Sequence, residues 1–181
     1  RGGIRVMTKK KKKDDKLTHD QVEHLTQKSK ELPKHLRRLE RILLALGGRF
    51  ALIKPNEPDH GKLVTRGEVK DGKDAVMVKG KPCNCHGNAA RLFIEDILTE
   101  IWTGYALSAD GIWRQHSWGW KDGKVLETTE SREIYCGIQL NVEESFLFVL
   151  NNVSREEATS FLVKRGTKKE DVDALYDGRR M

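Results

Sequence analysis

Apolar residues recur along the chain at two spacings, and the changes between them mark the predicted elements. Thr18 can cap a helix while Gln21, three positions later, can bond back to the cap, so a helix is predicted to about Leu32. A second helix is predicted after Pro33, since its apolar residues recur every three or four positions: Leu36, Leu39, Ile42, Leu43 and Leu46. We expect one face of this helical pair, residues 18–46, to pack on a core.

The pattern changes twice between residue 49 and residue 101. Short β-type runs at 50–53, 63–65 and 75–78 are separated by proline, glycine and aspartate, and they predict strands or extended loops. From residue 85 to residue 101 the pattern is helical again, and apolar residues cover more than one face. A helix of that kind is predicted to be central and buried.

The remaining pattern alternates as in strands and then becomes helical. Four strand segments, joined in part by Asp-Gly turn signals, predict an antiparallel sheet against the central helix: 105–107, 113–120, 125–129 and 134–140. Three helices follow, and capping boxes open the last two: 143–150, 154–166 and 167–177. The predicted fold class is α+β, with a central Cys-bearing helix on an antiparallel sheet. Residues 18–181 are predicted to form one domain, with the candidate chemistry in 80–141 and the C-terminal helices in 142–177.

Charge changes this picture only at the N-terminal end. The 181 residues include 34 Lys and Arg and 27 Asp and Glu, a net charge of +7. Residues 1–19 hold eight basic and two acidic residues, which account for +6 of that charge. Residues 1–17 are therefore predicted to be a disordered basic tail, and its run Lys9–Lys13 is expected to make at most weak, nonspecific contacts with polyanions. The balanced remainder carries no nucleic-acid recognition motif.

Apolar segment lengths and cysteine count bear on the compartment. No segment approaches the ~18 to 20 apolar residues that span a bilayer, and no apolar region follows the N-terminal lysines. We expect a cytoplasmic protein without membrane contact. Three cysteines are an odd number and do not form a disulfide framework, so at least one thiol needs another role.

One thiol stands where coil is predicted to turn into the central helix. Backbone N–H groups and the helix dipole favour thiolate at such a position and supply donors for an oxyanion. Cys85 directly precedes the predicted first turn and is the first candidate nucleophile, whereas Cys83 follows Pro82 in extended chain and is the alternate. Cys136, in an apolar alternating run, is interpreted as a small buried hydrophobic residue.

The predicted sheet offers a base and an acid for that thiol. Strand alternation places three side chains on one face: His116, Trp118 and Trp120. A two- or four-residue turn around Asp122-Gly123 brings Glu127 to that face within reach of His116, and a three-residue loop brings Glu130 instead. Either acid can orient the imidazole while the imidazole activates the thiol. The two tryptophans are candidates for the floor of a substrate groove.

The order of helix-start Cys85, strand His116 and next-strand Glu127 resembles the papain-like superfamily of cysteine hydrolases and transferases, in particular its transglutaminase-like and NlpC/P60-like branches. The resemblance covers residues 80 to about 140. It implies a papain-like fold without a cofactor, in which Cys85 is the nucleophile, His116 the general base and then acid, and Glu127 the orienting residue. The implied substrate is a peptide or protein amide, or an isopeptide bond.

The sequence departs from the family pattern at three points. Cys83 lies two residues before the nucleophile, His86 lies beside it, and a Glu stands where many relatives have Asp or Asn. The upstream Gln or Asn that often completes the oxyanion hole is not identifiable, which leaves Asn84 and Asn88 as candidates. Branch and substrate therefore stay open: water as the acceptor makes a hydrolase, and an amine makes a transferase.

Two other classes of function fit some of the same residues. A zinc site would draw its ligands from five side chains: Cys83, Cys85, His86, His116 and Cys136. The Cys-x-Cys spacing is tighter than in most structural zinc sites and no second pair follows, which argues against it. A non-catalytic interaction module would use apolar faces of the last two helices: Phe161, Leu162, Val172 and Leu175. Glu127 alone could instead pair at the surface with Lys121, Lys124 or Arg114.

Overall fold

The computed structural model describes residues 17–57 and 59–177, and within them it is a mixed α and β fold. Its helices are α1 His19–Glu31, α2 Arg37–Leu46 after a 3-10 turn Lys34–Leu36, α3 His60–Arg66, α4 Cys85–Ile94, α5 Val142–Asn152, α6 Arg155–Lys164 and α7 Lys169–Asp177. Its strands are β1 Phe50–Leu52, β2 Glu68–Asp71, β3 Val76–Met77, β4 Glu100–Leu107, β5 Ile112–Lys121, β6 Lys124–Glu127 and β7 Ile134–Gln139. None of the helices in this part of the chain has the length and apolar character that crossing a bilayer demands. Residues 1–16 of the predicted basic tail 1–17, including Lys9–Lys13, lie outside the described residues.

Two of the predicted capping boxes, at Thr18 and Ser154, are present in the structure. The Thr18 hydroxyl accepts from the Gln21 backbone and the Gln21 side chain accepts from the Thr18 backbone, so the predicted capping box is confirmed. Ser154 opens α6 in the same way. Three of the four apolar residues that suggested a docking face are buried in the domain's own core, namely Phe161, Leu162 and Val172, and only Leu175 is exposed.

Two predicted elements are wrong in type or length. Residues 63–65 form part of α3, in which Leu63 is buried in the core, Val64 packs against the core partly buried, and Thr65 is exposed. The central helix ends at Ile94 instead of continuing to residue 101, since Asp96 adopts a left-handed φ of 55° and the chain then enters β4. Ile101 is fully buried in the sheet. An apolar run of this length fits a buried helix and a buried strand equally well, so periodicity could not separate them.

The sheet is mixed, which corrects the predicted antiparallel arrangement. Its order is β2-β7-β4-β5-β6-β3, and β1 pairs with β5 beside this path. The strands from β4 to β7 and β2 pair antiparallel, but β1 is parallel to β5 and β3 is parallel to β6. The two parallel strands come from residues 50–77, so long crossovers through α3 and α4 precede their partners, as parallel pairing requires.

Strand β5 has different partners along its two edges. Strand β4 pairs with one edge from residue 113 to residue 120. The other edge is shared by β1, which pairs over Ile112–Arg114, and by β6, which pairs over Gly119–Lys121. Residues 115–118 lie between these two strands and have no strand partner there in the described part of the chain. The backbone of this interval is therefore available to other groups.

Apolar residues pack on both faces of the sheet. One large cluster joins the helices to one face, and it includes Leu39, Leu43, Ala89 and Cys136. A smaller aromatic cluster lies on the other face: Trp102, Ala106, Trp118, Val125 and Tyr135. Gly137 makes room for it, because a Cβ there would lie 2.3 Å from the Trp118 ring and 2.6 Å from the Thr103 carbonyl oxygen. The aromatic cluster supports the site described next.

Candidate active site

Cys85 is the first residue of α4, and the helix start meets the interval of β5 that lacks a strand partner. Backbone contacts with Ser117 and His86 act on the Cys85 thiol and help to lower its pKa. Behind it, Asn88 fixes the incoming chain, since its side chain accepts from the Lys81 backbone N–H at 2.9 Å and donates to the Lys81 carbonyl at 2.8 Å. The thiol is thus held at a helix N-terminus and against the edge of β5.

His116 lies between this thiol and a carboxylate. Its side chain is hydrogen-bonded to the Cys85 thiol, and its Nε2 lies 2.8 Å from Oε2 of Glu127. Because Nε2 bonds to the carboxylate, Nδ1 is the ring nitrogen that faces the sulfur. His116 and Glu127 are both almost completely buried. The structure therefore brings the three predicted residues into one continuous hydrogen-bonded series.

The register that places Glu127 follows from the turn between β5 and β6. Asp122 and Gly123 both have positive φ, 51° and 75°, which is the conformation of a two-residue hairpin turn of type I′. Trp120 consequently pairs with Val125, as predicted, and Glu127 comes to the face of His116. The alternate acid Glu130 is partly exposed and forms an ion pair with Arg132.

Glu127 is held by more donors than the sequence suggested. Oε1 accepts from the Thr128 and Thr129 backbone N–H groups, both at 2.8 Å, and from the Thr129 hydroxyl at 2.9 Å. Oε2 accepts from the Tyr135 hydroxyl at 2.8 Å in addition to its bond with His116. Neither Tyr135 nor Thr129 was predicted from the sequence as part of the site. Two threonines directly after a buried acid are a signal for such a cradle, because their N–H and O–H groups can turn back to the carboxylate.

Trp118 supports the imidazole instead of lining a groove, which corrects its predicted role. Its ring is fully buried and stacks on His116 with 6.2 Å between centroids and an interplanar angle of 18°. Tyr135 packs against Trp118 with ring centroids 4.9 Å apart, and its ring also lies 6.1 Å from that of His116. Trp120 is only half-buried, and its ring contacts Trp102 and the Lys70 ammonium, which lies 4.9 Å from the ring centroid.

The electrostatics of the series favour a thiolate–imidazolium pair. Burial raises the pKa of Cys85, but the hydrogen bond and charge of His116 outweigh it and hold that pKa below its ordinary value. Burial likewise lowers the pKa of His116, yet its bonds to Cys85 and Glu127 raise it to about 9. Burial raises the pKa of Glu127, and the His116 contact and the surrounding donors bring it down to about 2. The pKa of the basic group is thus raised while those of the two acidic groups are lowered, which is the pattern of one shared ion-pair network.

These pKa shifts predict a pH dependence of stability. The Glu127 pKa falls from 4.5 in the ordinary state to about 2 in the fold, so its stabilisation is present above pH 4.5 and is lost as the pH falls toward 2. The His116 pKa rises from 6.5 to about 9, so its stabilisation is present below pH 6.5 and is lost as the pH rises through 9. The free energy of unfolding, measured with denaturant across pH, should fall at both low and high pH. Glu127→Gln should weaken the fall at low pH, which is called the acid limb. An unchanged acid limb in that variant would assign it to other carboxylates.

His86 anchors the start of α4 on the opposite face of β5, a role that the sequence analysis did not assign. Its Nδ1 lies 2.6 Å from the Ser117 hydroxyl, and its Nε2 lies 3.2 Å from Oε1 of Gln115. Burial lowers the pKa of His86, which favours the neutral ring. The alternation of β5 already placed Gln115 and Ser117 on the face away from His116, and this was the signal that could have identified the contact.

The other predicted site residues lie near the thiol or in the core. Cys83 is exposed in the turn that precedes α4, and Asn84 is the half-buried residue directly before the helix. Both ends of the Asn88 amide are engaged by Lys81, which fits an anchoring role better than that of an oxyanion donor. Cys136 lies in the core between sheet and helices, where burial raises its pKa to about 11.

The described residues contain no cluster of three His, Cys, Asp or Glu side chains that could hold a metal ion. Of the five side chains considered for zinc, Cys83 lies in the exposed turn, Cys85 and His116 in the hydrogen-bonded series, and Cys136 in the core, while His86 contacts Ser117 and Gln115.

No protein-family model matches the chain, and neither the curated proteins nor the solved structures include a significant match to it. The chemical interpretation therefore rests on the geometry of the site.

Proposed function

We propose that this protein is a cysteine-dependent hydrolase or acyl transferase acting on an amide or isopeptide bond without a cofactor. Cys85 is the nucleophile, His116 the acid and base, and Glu127 the orienting residue. The observation that carries the proposal is the series from Cys85 through His116 to the five-donor carboxylate of Glu127. Such a series supplies what nucleophilic catalysis needs: an activated thiol, a proton carrier and a group that fixes the carrier. It is consistent with the papain-like resemblance.

In this proposal the Cys85 thiolate attacks the substrate carbonyl carbon and the carbonyl oxygen becomes an oxyanion. The backbone N–H groups at the start of α4 are the donors for it, because a helix leaves its first N–H groups without intrahelical partners. The Asn84 side chain, directly before Cys85, is the favoured side-chain donor since the Asn88 amide is engaged. The imidazolium of His116 then gives its proton to the leaving amine, and a thioester remains.

The second half-reaction resolves the thioester. His116, now neutral, takes a proton from water or from an incoming amine, and that nucleophile displaces the Cys85 sulfur. Water gives a hydrolase and an amine gives a transferase. Glu127 accepts a hydrogen bond from Nε2 throughout, so Nδ1 stays directed at the sulfur while the ring gains and loses its proton.

Alkylation with iodoacetamide tests the thiolate. At pH 6 Cys85 should be labelled quickly while buried Cys136 is not, because only the former has a lowered pKa and an imidazole neighbour. His116→Ala should slow that labelling roughly a hundredfold, as expected when an activated thiol returns to ordinary behaviour. His60→Ala, which removes another mostly buried histidine with a carboxylate neighbour, Glu57, is the matched control and should have no effect. Adducts are located by peptide mass spectrometry.

Equal and slow labelling of all three cysteines would overturn the assignment.

A direct test of the reaction uses synthetic peptides that contain glutamine side-chain amides or lysine isopeptide bonds, each with and without a biotinylated primary amine. The wild-type protein should release amine from one class or transfer the biotinylated amine to it, and Cys85→Ser should do neither. Reaction that persists in Cys85→Ser would contradict the proposal.

A further inference from the structure

The turn directly before the nucleophile contains a second thiol in a backbone conformation that cysteine rarely adopts. Pro82 and Cys83 form the turn, and Cys83 has a φ of 54°, in the left-handed region. After a proline this turn position favours glycine or asparagine, because a Cβ is disfavoured at positive φ. Here the residue is a cysteine, and its side chain is exposed.

The two cysteines are close enough in the chain to bond to each other. Two residues span at most roughly 7 Å between Cα atoms, and disulfides form at about 4.4 to 6.8 Å. Asn84, the residue between them, lies outside the helix with φ −130° and ψ 48°, so no helical hydrogen-bond pattern fixes Cys83 relative to Cys85. Cys85 itself is partly exposed, so a small soluble oxidant can reach it. The third cysteine, Cys136, is buried in the core and takes no part.

We propose that Cys85 is a peroxide-modified site and that Cys83 is its resolving thiol, so that oxidation ends in a reversible Cys83–Cys85 disulfide. The inference rests on the proposed function in one respect, namely the reactive thiolate at Cys85. Low-pKa, accessible thiols beside a second cysteine are the ones that follow this course in proteins. The structure shows the reduced state, in which the Cys85 thiol contacts His116.

The chemistry balances with a hydroperoxide as the oxidant. The Cys85 thiolate attacks the terminal peroxide oxygen, an S–O bond forms, the O–O bond breaks, and the leaving oxygen takes a proton to become water or an alcohol. Sulfur is thereby oxidised by two electrons to a sulfenic acid and the peroxide is reduced. The Cys83 thiol then attacks the Cys85 sulfur, the S–O bond breaks, and the hydroxyl leaves as water with the proton from Cys83. A dithiol reductant restores both thiols by exchange.

The disulfide has a specific effect on the site. Its formation turns the Cys85 sulfur away from His116 and removes the thiolate, so amide chemistry stops until reduction. It also ends oxidation at a recoverable step, because sulfinic and sulfonic acids form from a sulfenic acid that no thiol resolves. Cys83 thus protects the nucleophile from irreversible loss.

The test is a hydrogen peroxide titration of the full chain, read by intact mass, peptide mapping and iodoacetamide labelling of Cys85 before and after dithiothreitol. The intact mass of the wild-type protein should fall by two hydrogens, and peptide mapping should show a Cys83–Cys85 bond. Labelling of Cys85 should recover fully after reduction. Cys83→Ser should instead give a dimedone-reactive sulfenic acid, then gain two oxygens, and fail to recover. Cys136→Ser is the matched control and should behave as wild type.

Two results would overturn the inference. One is wild-type protein that gains oxygens and loses labelling irreversibly, as Cys83→Ser does. The other is a disulfide between two chains, seen as a dimer on a non-reducing gel. The proposed function is judged separately: fast alkylation of Cys85 in untreated protein supports it whatever peroxide does, and slow alkylation there counts against the function and the inference together.

Discussion

Glu127→Gln is expected to lower the free energy of unfolding by about 3–5 kcal/mol, the cost of removing one partner from a buried ion pair. Glu127 is fully buried, and it accepts from His116, Tyr135 and three donors of Thr128 and Thr129. The substitution keeps the shape of the side chain but removes its charge. It therefore tests the carboxylate itself and not the packing around it.

The same substitution should also change the imidazole. The three donors of Thr128 and Thr129 require an acceptor, so the glutamine oxygen will stay with them and its NH₂ group will face His116 Nε2 and the Tyr135 hydroxyl. A donor at Nε2 forces that nitrogen to be the acceptor and disfavours imidazolium. The pKa of His116 should fall, and Cys85 should become reactive only at higher pH.

Urea unfolding at pH 6 and the pH profile of Cys85 alkylation measure the two effects. Glu130→Gln is the matched control, because Glu130 is three residues away, partly exposed and paired with Arg132, and it should change the free energy of unfolding by no more than about 1 kcal/mol. An alkylation profile that is identical in wild type and Glu127→Gln would show that Glu127 does not govern the imidazole.

Trp118→Ala is expected to cost about 3–5 kcal/mol of stability, as large-to-small changes of a buried aromatic side chain do. The Trp118 ring is fully buried, contacts the rings of His116 and Tyr135, and packs near Trp102 at 6.3 Å between centroids. Its Nε1 has no hydrogen-bond partner among the described residues, so the loss is one of packing. The cavity opens directly under the imidazole.

This variant should also loosen the geometry between His116 and Cys85 in whatever fraction remains folded. Without the stacked ring His116 gains room to tilt, and rapid alkylation of Cys85 at pH 6 should decline even at low temperature, where the fold persists. Trp120→Ala is the matched control, since Trp120 is half-buried and has no ring contact with His116. Equal losses in both variants would mean that Trp118 contributes only to general stability.

The hydrogen-bonded series was predictable because short-range rules govern each of its parts. Alternation along β5 set the face of His116, and the Asp122-Gly123 turn set the register that brings Glu127 to that face. The position of Cys85 followed from the change to helical periodicity. Each inference needed only a few neighbouring residues, which is the range over which sequence pattern determines geometry.

The features that were missed depend on distant residues. Strand β1 joins β5 although more than fifty residues separate them, and a three-residue apolar run gives no indication of its partner or direction. Tyr135 reaches Glu127 from β7, which pairs with β4 and not with β6, so no hairpin rule connects the two. The apolar run that contains Ile101 changes from helix to strand because the sheet buries it, and a local pattern does not encode that choice.

Cys85 lies against an edge of β5 that is completed by segments far apart in the chain, and this determines the order in which the site matures. During synthesis the N-terminal part of a chain emerges first, so Cys85 is exposed before the strands bearing His116, Glu127 and Tyr135 exist. Pairings between distant segments form late because loop closure must precede them. A nascent chain thus carries Cys85 without its hydrogen-bonded partners, and the proposed thiolate forms only after β5, β6 and β7 have joined the sheet.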